Sequence, residues 1–148
     1  MISNTQPDNA VLQRPAPCRT PTVLCIDDDP HVSEVIQDWL AAYEVKLLKA
    51  FFGTQGIWTA VTQKPDVIIT DLRMPQADGA TVIECLKRNV QTAAIPVIVL
   101  TALHEPGLQR DLEGIGASSY LTKPIHFNDL LGELQRHIEI RPKPFDEQ

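Results

Sequence analysis

The chain has 148 residues, with 13 Lys and Arg against 19 Asp and Glu, for a formal net charge of −6. That length suffices to bury one hydrophobic core without disulfide or metal staples. The charge argues against a broad nucleic-acid or anionic-membrane surface, so the expected partners are proteins or small ions, with no direct nucleic acid and no membrane.

Residues 1–20 hold Pro7, Pro15 and Pro17 among polar residues and no apolar stretch, so they read as a disordered arm rather than a signal or an anchor. From Thr22 onward short apolar runs alternate with stretches of helical periodicity, the pattern of a doubly wound α/β three-layer sandwich around a five-stranded parallel sheet. The expected strands are Val23 to Ile26, Val45 to Ala50, Val67 to Thr70, Val97 to Leu100 and Ser119 to Leu121. The third and fourth are continuous β-branched apolar runs, as central strands require.

Helical spacing links Val32, Val35, Ile36, Trp39, Leu40 and Tyr43 in a first amphipathic helix. Ile57, Ala60 and Val61, then Val82, Ile83 and Leu86, give two more, with Thr54 and Gly79 as expected caps near their starts. Leu108, Leu112 and Ile115, and finally Phe127, Leu130, Leu131, Leu134 and Ile138, complete the set. The run from Ala93 to Leu103 lacks charge but falls far short of the roughly 18 apolar residues that cross a bilayer. Residues 21–140 are thus expected to form one domain, and 141–148 a tail without periodicity, either a free end or the start of a cut linker. Cys18, Cys25 and Cys85 are odd in number and lack CxxC pairing, which fits a reducing cytoplasm.

In an open parallel sheet the functional crevice lies outside the carboxyl ends of the strands. The residues just past the first, third, fourth and fifth strands are Asp27-Asp28-Asp29, Asp71, Thr101-Ala102 and Lys123-Pro124. Carboxylates gathered in one pocket raise one another's pKa unless a cation is supplied, and oxygen ligands suit Mg²⁺ or Mn²⁺. A lysine and a threonine are superfluous for holding a metal, yet they supply the cation and the hydrogen-bond donor that a transferring phosphoryl group needs. Asp71, at the centre, is the natural nucleophile. Singly, each residue has an ordinary role: Asp29 reads as a helix N-cap, Thr101 as a β-former, Lys123 as a surface amine and Tyr120 as an edge-strand aromatic. Their meaning comes from being together. His31, His104, His126 and His137 show no metal-ligand spacing and read as structural or solvent-facing.

The segments "VLCIDDDP", "PDVIITDLRMPQADG", "VIVLTA" and "YLTKPI" occur in the order and approximate spacing of the receiver domain of bacterial two-component response regulators, which the span from Val23 to about Glu139 resembles. The resemblance implies a flavodoxin-like fold with strand order 2-1-3-4-5 and a signalling module rather than an enzyme. It implies that Asp71 accepts a phosphoryl group from a histidine kinase or a phosphotransfer protein, with Thr101 and Lys123 contacting it. Asp28 would ligate Mg²⁺ directly, Asp27 mainly through water, and the backbone carbonyl of Arg73 would complete the protein ligands. Thr101 and Tyr120 would form the switch, and Lys123-Pro124 is a candidate cis bond. The output face would comprise the fifth strand and the helices beginning near Pro106 and His126, acting on a downstream protein target or output domain, or in a dimer. The chain could stand alone or be the N-terminal receiver of a longer protein.

In the family the phosphoryl lifetime depends on side chains two positions past the phosphoacceptor and two past the threonine, here Arg73 and Leu103, whose bulk implies restricted water access. A rival outline is similar to haloacid-dehalogenase-type phosphatases, with Asp27 as nucleophile, Asp29, Thr101 and Lys123. The further acidic motif such enzymes need after the lysine is missing, since the first Asp past Lys123 is Asp129, on the expected final helix.

Overall fold

The computed structural model describes residues 19–74, 78–102 and 104–145. Strands β1 (Thr22–Ile26), β2 (Lys46–Ala50), β3 (Val67–Asp71), β4 (Val97–Thr101) and β5 (Ser119–Thr122) alternate with helices α1 (Pro30–Leu40), α2 (Gly53–Gln63), α3 (Gly79–Arg88), α4 (Leu108–Gly114) and α5 (Phe127–Gln135). The strands form one five-stranded sheet in the order β2-β1-β3-β4-β5. All pairs are parallel, with registers such as Leu24↔Ile68, Ile69↔Ile98 and Val99↔Tyr120. The expected architecture and strand order are those observed. Every strand end expected from the sequence lies within one residue of the observed one.

Because successive side chains on a strand point to opposite faces, each central strand feeds two cores. Leu24, Ile26, Ile68, Val97 and Val99 point to one face, where Ala60 of α2, Val82, Ile83 and Leu86 of α3 and Leu112 of α4 cover them. Val23, Cys25, Val67, Ile69, Ile98 and Leu100 point to the other, beneath Ile36 and Leu40 of α1 and Leu130 and Leu134 of α5. All residues of β3 and β4 are buried, which is why both read as uninterrupted apolar runs. On the second face Phe127 stacks at a tilt against Trp39, with ring centroids 5.5 Å apart, joining α5 to α1.

Two helix starts differ from the sequence expectation. Asp29 caps α1, its carboxylate accepting from the His31 N–H at 3.0 Å, as expected. In α2, however, Thr54 lies inside the first turn and Phe52 holds the cap position with no side-chain cap bond; the nearby Gln55 side chain instead accepts from the Phe51 N–H at 2.7 Å. In α3 the cap is Asp78, accepting from the Thr81 N–H at 3.0 Å, and Gly79 is the first helical residue. After α5 the chain stays on the domain. Tyr43 and Pro142 form an antiparallel bridge, with Glu44 N–H donating to the Arg141 carbonyl and Lys143 N–H to the Ala42 carbonyl, both at 2.8 Å.

Candidate functional site

The two helices nearest the carboxyl ends of β1 and β3 leave on opposite faces of the sheet: α1 follows β1 onto one and α3 follows β3 onto the other. Since β1 and β3 are neighbours, a crevice opens between their ends. Asp27 leaves β1 into it, its backbone N–H held by the Ala50 carbonyl at 3.0 Å. Only 1% of Asp27 and 7% of Asp71 is exposed, whereas Asp28 faces solvent.

Carboxylate oxygens of Asp27, Asp28 and Asp71 lie within 4.8 Å of one another. The Lys123 ammonium reaches in from the end of β5, 3.1 Å from Asp27 Oδ2 and 3.3 Å from Asp71 Oδ1. The other oxygen of Asp27 accepts from the Asp29 N–H at 2.9 Å. Lys123 is placed by its own backbone, whose N–H donates to the Thr101 carbonyl at 2.8 Å, and the peptide to Pro124 is cis.

Burial lifts the Asp27 carboxyl above its ordinary 3.8; neighbouring Asp71 adds to this, and the Asp29 N–H and Lys123 offset only part of it. Burial likewise lifts Asp71 above 3.8, with Lys123 opposing. At Lys123 burial alone would lower the pKa, but the two carboxylates outweigh it and hold the amine above its ordinary 10.5. Among the described residues the pocket therefore carries two buried carboxylates and one exposed one against a single ammonium.

Thr101 is buried at the end of β4, one residue beyond Leu100, the register partner of Asp71. Tyr120 pairs with Val99 and packs, half-buried, on the face covered by α2, α3 and α4, so Thr101 and Tyr120 lie on the same side of the sheet at adjacent strands. Arg73 is exposed two residues past Asp71, and Leu103 lies outside the described residues. His31, His104 and His126 are exposed; His137 is half-buried, its Nε2 enclosed without a hydrogen-bond partner among the described residues.

Gly79 opens α3 rather than capping it, and what requires glycine there is a close approach of two backbones. A Cβ there would stand 2.4 Å from the Asp71 carbonyl oxygen and 2.8 Å from Leu72 Cα, and its N–H donates to the Leu72 carbonyl at 2.7 Å. Only glycine lets the start of α3 close onto the strand that carries Asp71. The Asp78-Gly79 dipeptide was the visible signal, though it does not distinguish a turn from this close approach.

A parallel sheet with helices on both faces and an acidic crevice with an inserted lysine at its switch point is a doubly wound α/β domain with its polar site at the strand ends. Residues 23–135 match the response regulator receiver domain, and the chain belongs to that family. It is 40% identical over 119 residues to the DNA-binding dual master transcriptional regulator RpaA of Synechocystis, covering 78% of this chain and 48% of that one. It is 33% identical over 109 residues to Protein PilH of Pseudomonas aeruginosa, covering 74% and 90%. Among solved structures, the chemotaxis protein CheY4 of Vibrio cholerae superposes with a TM-score of 0.74 at 26% identity, over 81% of this chain and all 100% of that one. The receiver domain of sensor histidine kinase PA1611 from Pseudomonas aeruginosa, described with a magnesium ion coordinated in its active-site cleft, gives a TM-score of 0.70 at 29% identity, over 80% and 98%. The chain spans about half the length of RpaA and of the regulator KdpE of Escherichia coli, 48% and 49%.

The phosphatase outline is not supported. The family match is to a receiver, Asp29 is committed to capping α1, and Asp129 is exposed on the first turn of α5. The carboxylates that share one pocket are Asp27, Asp28 and Asp71.

Among the described residues no helix is long and apolar enough to cross a membrane.

Proposed function

We propose that Asp71 is the phosphoacceptor of a two-component receiver, and the observation that carries this is the convergence of Asp27, Asp28, Asp71 and Lys123 at the one switch point of the sheet. An Asp71 carboxylate oxygen attacks the phosphorus of a phosphohistidine on a sensor kinase or phosphotransfer protein. An acyl-phosphate P–O bond forms, the P–N bond breaks, and the electron pair leaves on the imidazole, which takes up a proton. Lys123, already 3.3 Å from Asp71, faces the charge that develops on the transferring oxygens, and the Thr101 hydroxyl donates to one of them.

Three carboxylates against one ammonium are a donor set that fits a hard divalent cation. Asp28 and Asp71 would hold Mg²⁺ directly, Asp27 through water and Arg73 through its carbonyl, with Mn²⁺ an alternative. When bound, the ion supplies neutralisation of phosphoryl charge. Burial, with the neighbouring carboxylate adding at Asp27, raises the pKa of both Asp27 and Asp71, and a cation held between them would lower both.

The product is a charge rather than a released compound, so the domain acts as a cytoplasmic relay rather than an enzyme. A phosphoryl group on Asp71 draws the Thr101 hydroxyl toward it, and Tyr120 turns into the space vacated. The face of α4, β5 and α5 then favours its active state toward a protein target, an output domain or a second copy.

Asp71→Asn tests the assignment: incubation with acetyl phosphate and Mg²⁺ gives a phosphoryl adduct on the intact wild-type protein and none on the variant, because an amide is a poor nucleophile. Full-strength labelling of the variant would overturn it. Thr101→Ala is expected to label at Asp71 yet lose the amide NMR shifts that beryllofluoride induces across residues 106–140 of wild type; unchanged shifts in the variant would refute the switch.

A further inference from the structure

Between α3 and α4, beside the phosphoacceptor pocket and sharing Arg73 with it, runs a groove of about 820 Å³. Its floor is apolar: Leu72, Met74 and Leu112 lie at the base, and Leu108 of α4 and Ile115, just past its end, are half-buried along one wall. Ala80 of α3 keeps the opposite wall low. The rim is charged almost entirely with one sign. Asp78 and Glu84 stand on the α3 side and Glu105 and Asp111 on the α4 side, against Arg73 alone among the described lining residues.

Glu84, Glu105 and Asp111 are exposed and enter no ion pair with a described residue. The nearest lysine of α3 is engaged elsewhere, since the Lys87 ammonium donates to the Ala93 and Ile95 carbonyls at 3.0 and 2.7 Å. The groove thus joins an apolar floor to acidic rims on both sides, and its walls are helices already tied to the sheet.

The geometry points to a docking groove for a basic amphipathic helix of a partner protein, its apolar stripe on Leu72, Met74, Leu108 and Ile115 and its lysines or arginines between the two acidic rims. α3 is 10 residues long, which at 1.5 Å per residue flanks about three turns of a bound helix. Helices recognised in this way present anchors at three- and four-residue steps to an apolar groove. Opposite charges on the rims orient the helix and speed encounter more than they add affinity. A second copy of this chain is the poorer occupant, because it brings its own net charge of −6. The inference stands apart from the phosphoryl assignment, and its test needs no phosphodonor.

The probe is a fluorescein-labelled leucine–lysine helical peptide of about 14 residues, titrated with the full chain by fluorescence anisotropy at about 50 mM and about 300 mM NaCl. Glu84→Lys with Asp111→Lys is expected to weaken binding at least about tenfold, while the equal charge change Glu34→Lys with Asp38→Lys on α1 weakens it less than about threefold. Amide NMR shifts on the wild type should gather at 72–74, 80–84 and 105–115, and circular dichroism confirms that both double variants are folded. Equal weakening by the two pairs, which means attraction by net charge only, overturns the proposal. So do shifts centred elsewhere, or sedimentation showing that the chain fills the groove with a second copy.

Discussion

Gly79→Ala tests whether the closure of α3 onto β3 holds the site together. The added Cβ would lie 2.4 Å from the Asp71 carbonyl oxygen, about 1 Å inside the 3.4 Å at which ordinary contact begins. Both nearest residues present backbone atoms, pinned by the 2.7 Å bond from Gly79 N–H to the Leu72 carbonyl, so no side chain can swing aside. Overpacking of this kind costs roughly 1–3 kcal/mol, and the rigidity of the neighbours puts this case near the top. Ala gains back up to ~1 kcal/mol over Gly in helix propensity, less in a first turn, for a net loss of about 2 kcal/mol. For a chain of 148 residues that corresponds to a fall in Tm of about 6 °C. The control is Gly114→Ala in α4, where an added Cβ meets nothing within 4 Å and a gain of roughly 0.5 kcal/mol is expected. Urea unfolding with an unchanged m-value reads both. Because the displaced atom is the carbonyl of Asp71 itself, labelling by acetyl phosphate should slow in Gly79→Ala and stay at the wild-type rate in Gly114→Ala. A Gly79→Ala midpoint at or above wild type would refute the reasoning.

Asp28→Ala should weaken Mg²⁺ binding more than Asp29→Ala, since Asp28 shares the pocket with Asp27 and Asp71 while Asp29 caps α1; equal losses in a calorimetric titration would contradict that division. Asp27 and Asp71 have folded pKa values raised above the ordinary 3.8, so the folded state holds their protons more tightly than the unfolded chain does. Their contribution favours folding below that ordinary value and is lost as pH rises through the raised folded values. In EDTA, Asp27→Asn should therefore gain stability relative to wild type as pH rises above the ordinary carboxylate value; a difference in unfolding free energy that stays flat as pH is raised tells against it.

The site was legible in the sequence because a parallel sheet converts chain order into place. Once the runs ending at Ile26, Thr70, Leu100 and Leu121 are read as strands, the residues after them must share one edge, and Asp27, Asp71, Thr101 and Lys123 follow with no knowledge of side-chain packing. Caps were less legible. Thr54 and Gly79 are good residues for a helix start, but which position takes the cap depends on how the preceding strand delivers the chain, and at α3 Asp78 is delivered there.

Least legible were contacts made between distant segments. Nothing near Pro142 announces its bridge to Tyr43, because an isolated pairing has no periodicity and is set by where α5 ends against the turn after α1. The groove between α3 and α4 is invisible for the same reason: Leu72 and Met74 are neighbours of Asp71 in the chain, whereas Leu108 and Ile115 reach them only when α4 is laid down. What a sheet edge gathers can be counted from strand ends, but what two helices leave open between them depends on side chains that neither helix's own pattern names. Glu84 on α3 and Asp111 on α4 are each an exposed acid of a helix, and only their apposition across an apolar floor gives them a partner to attract.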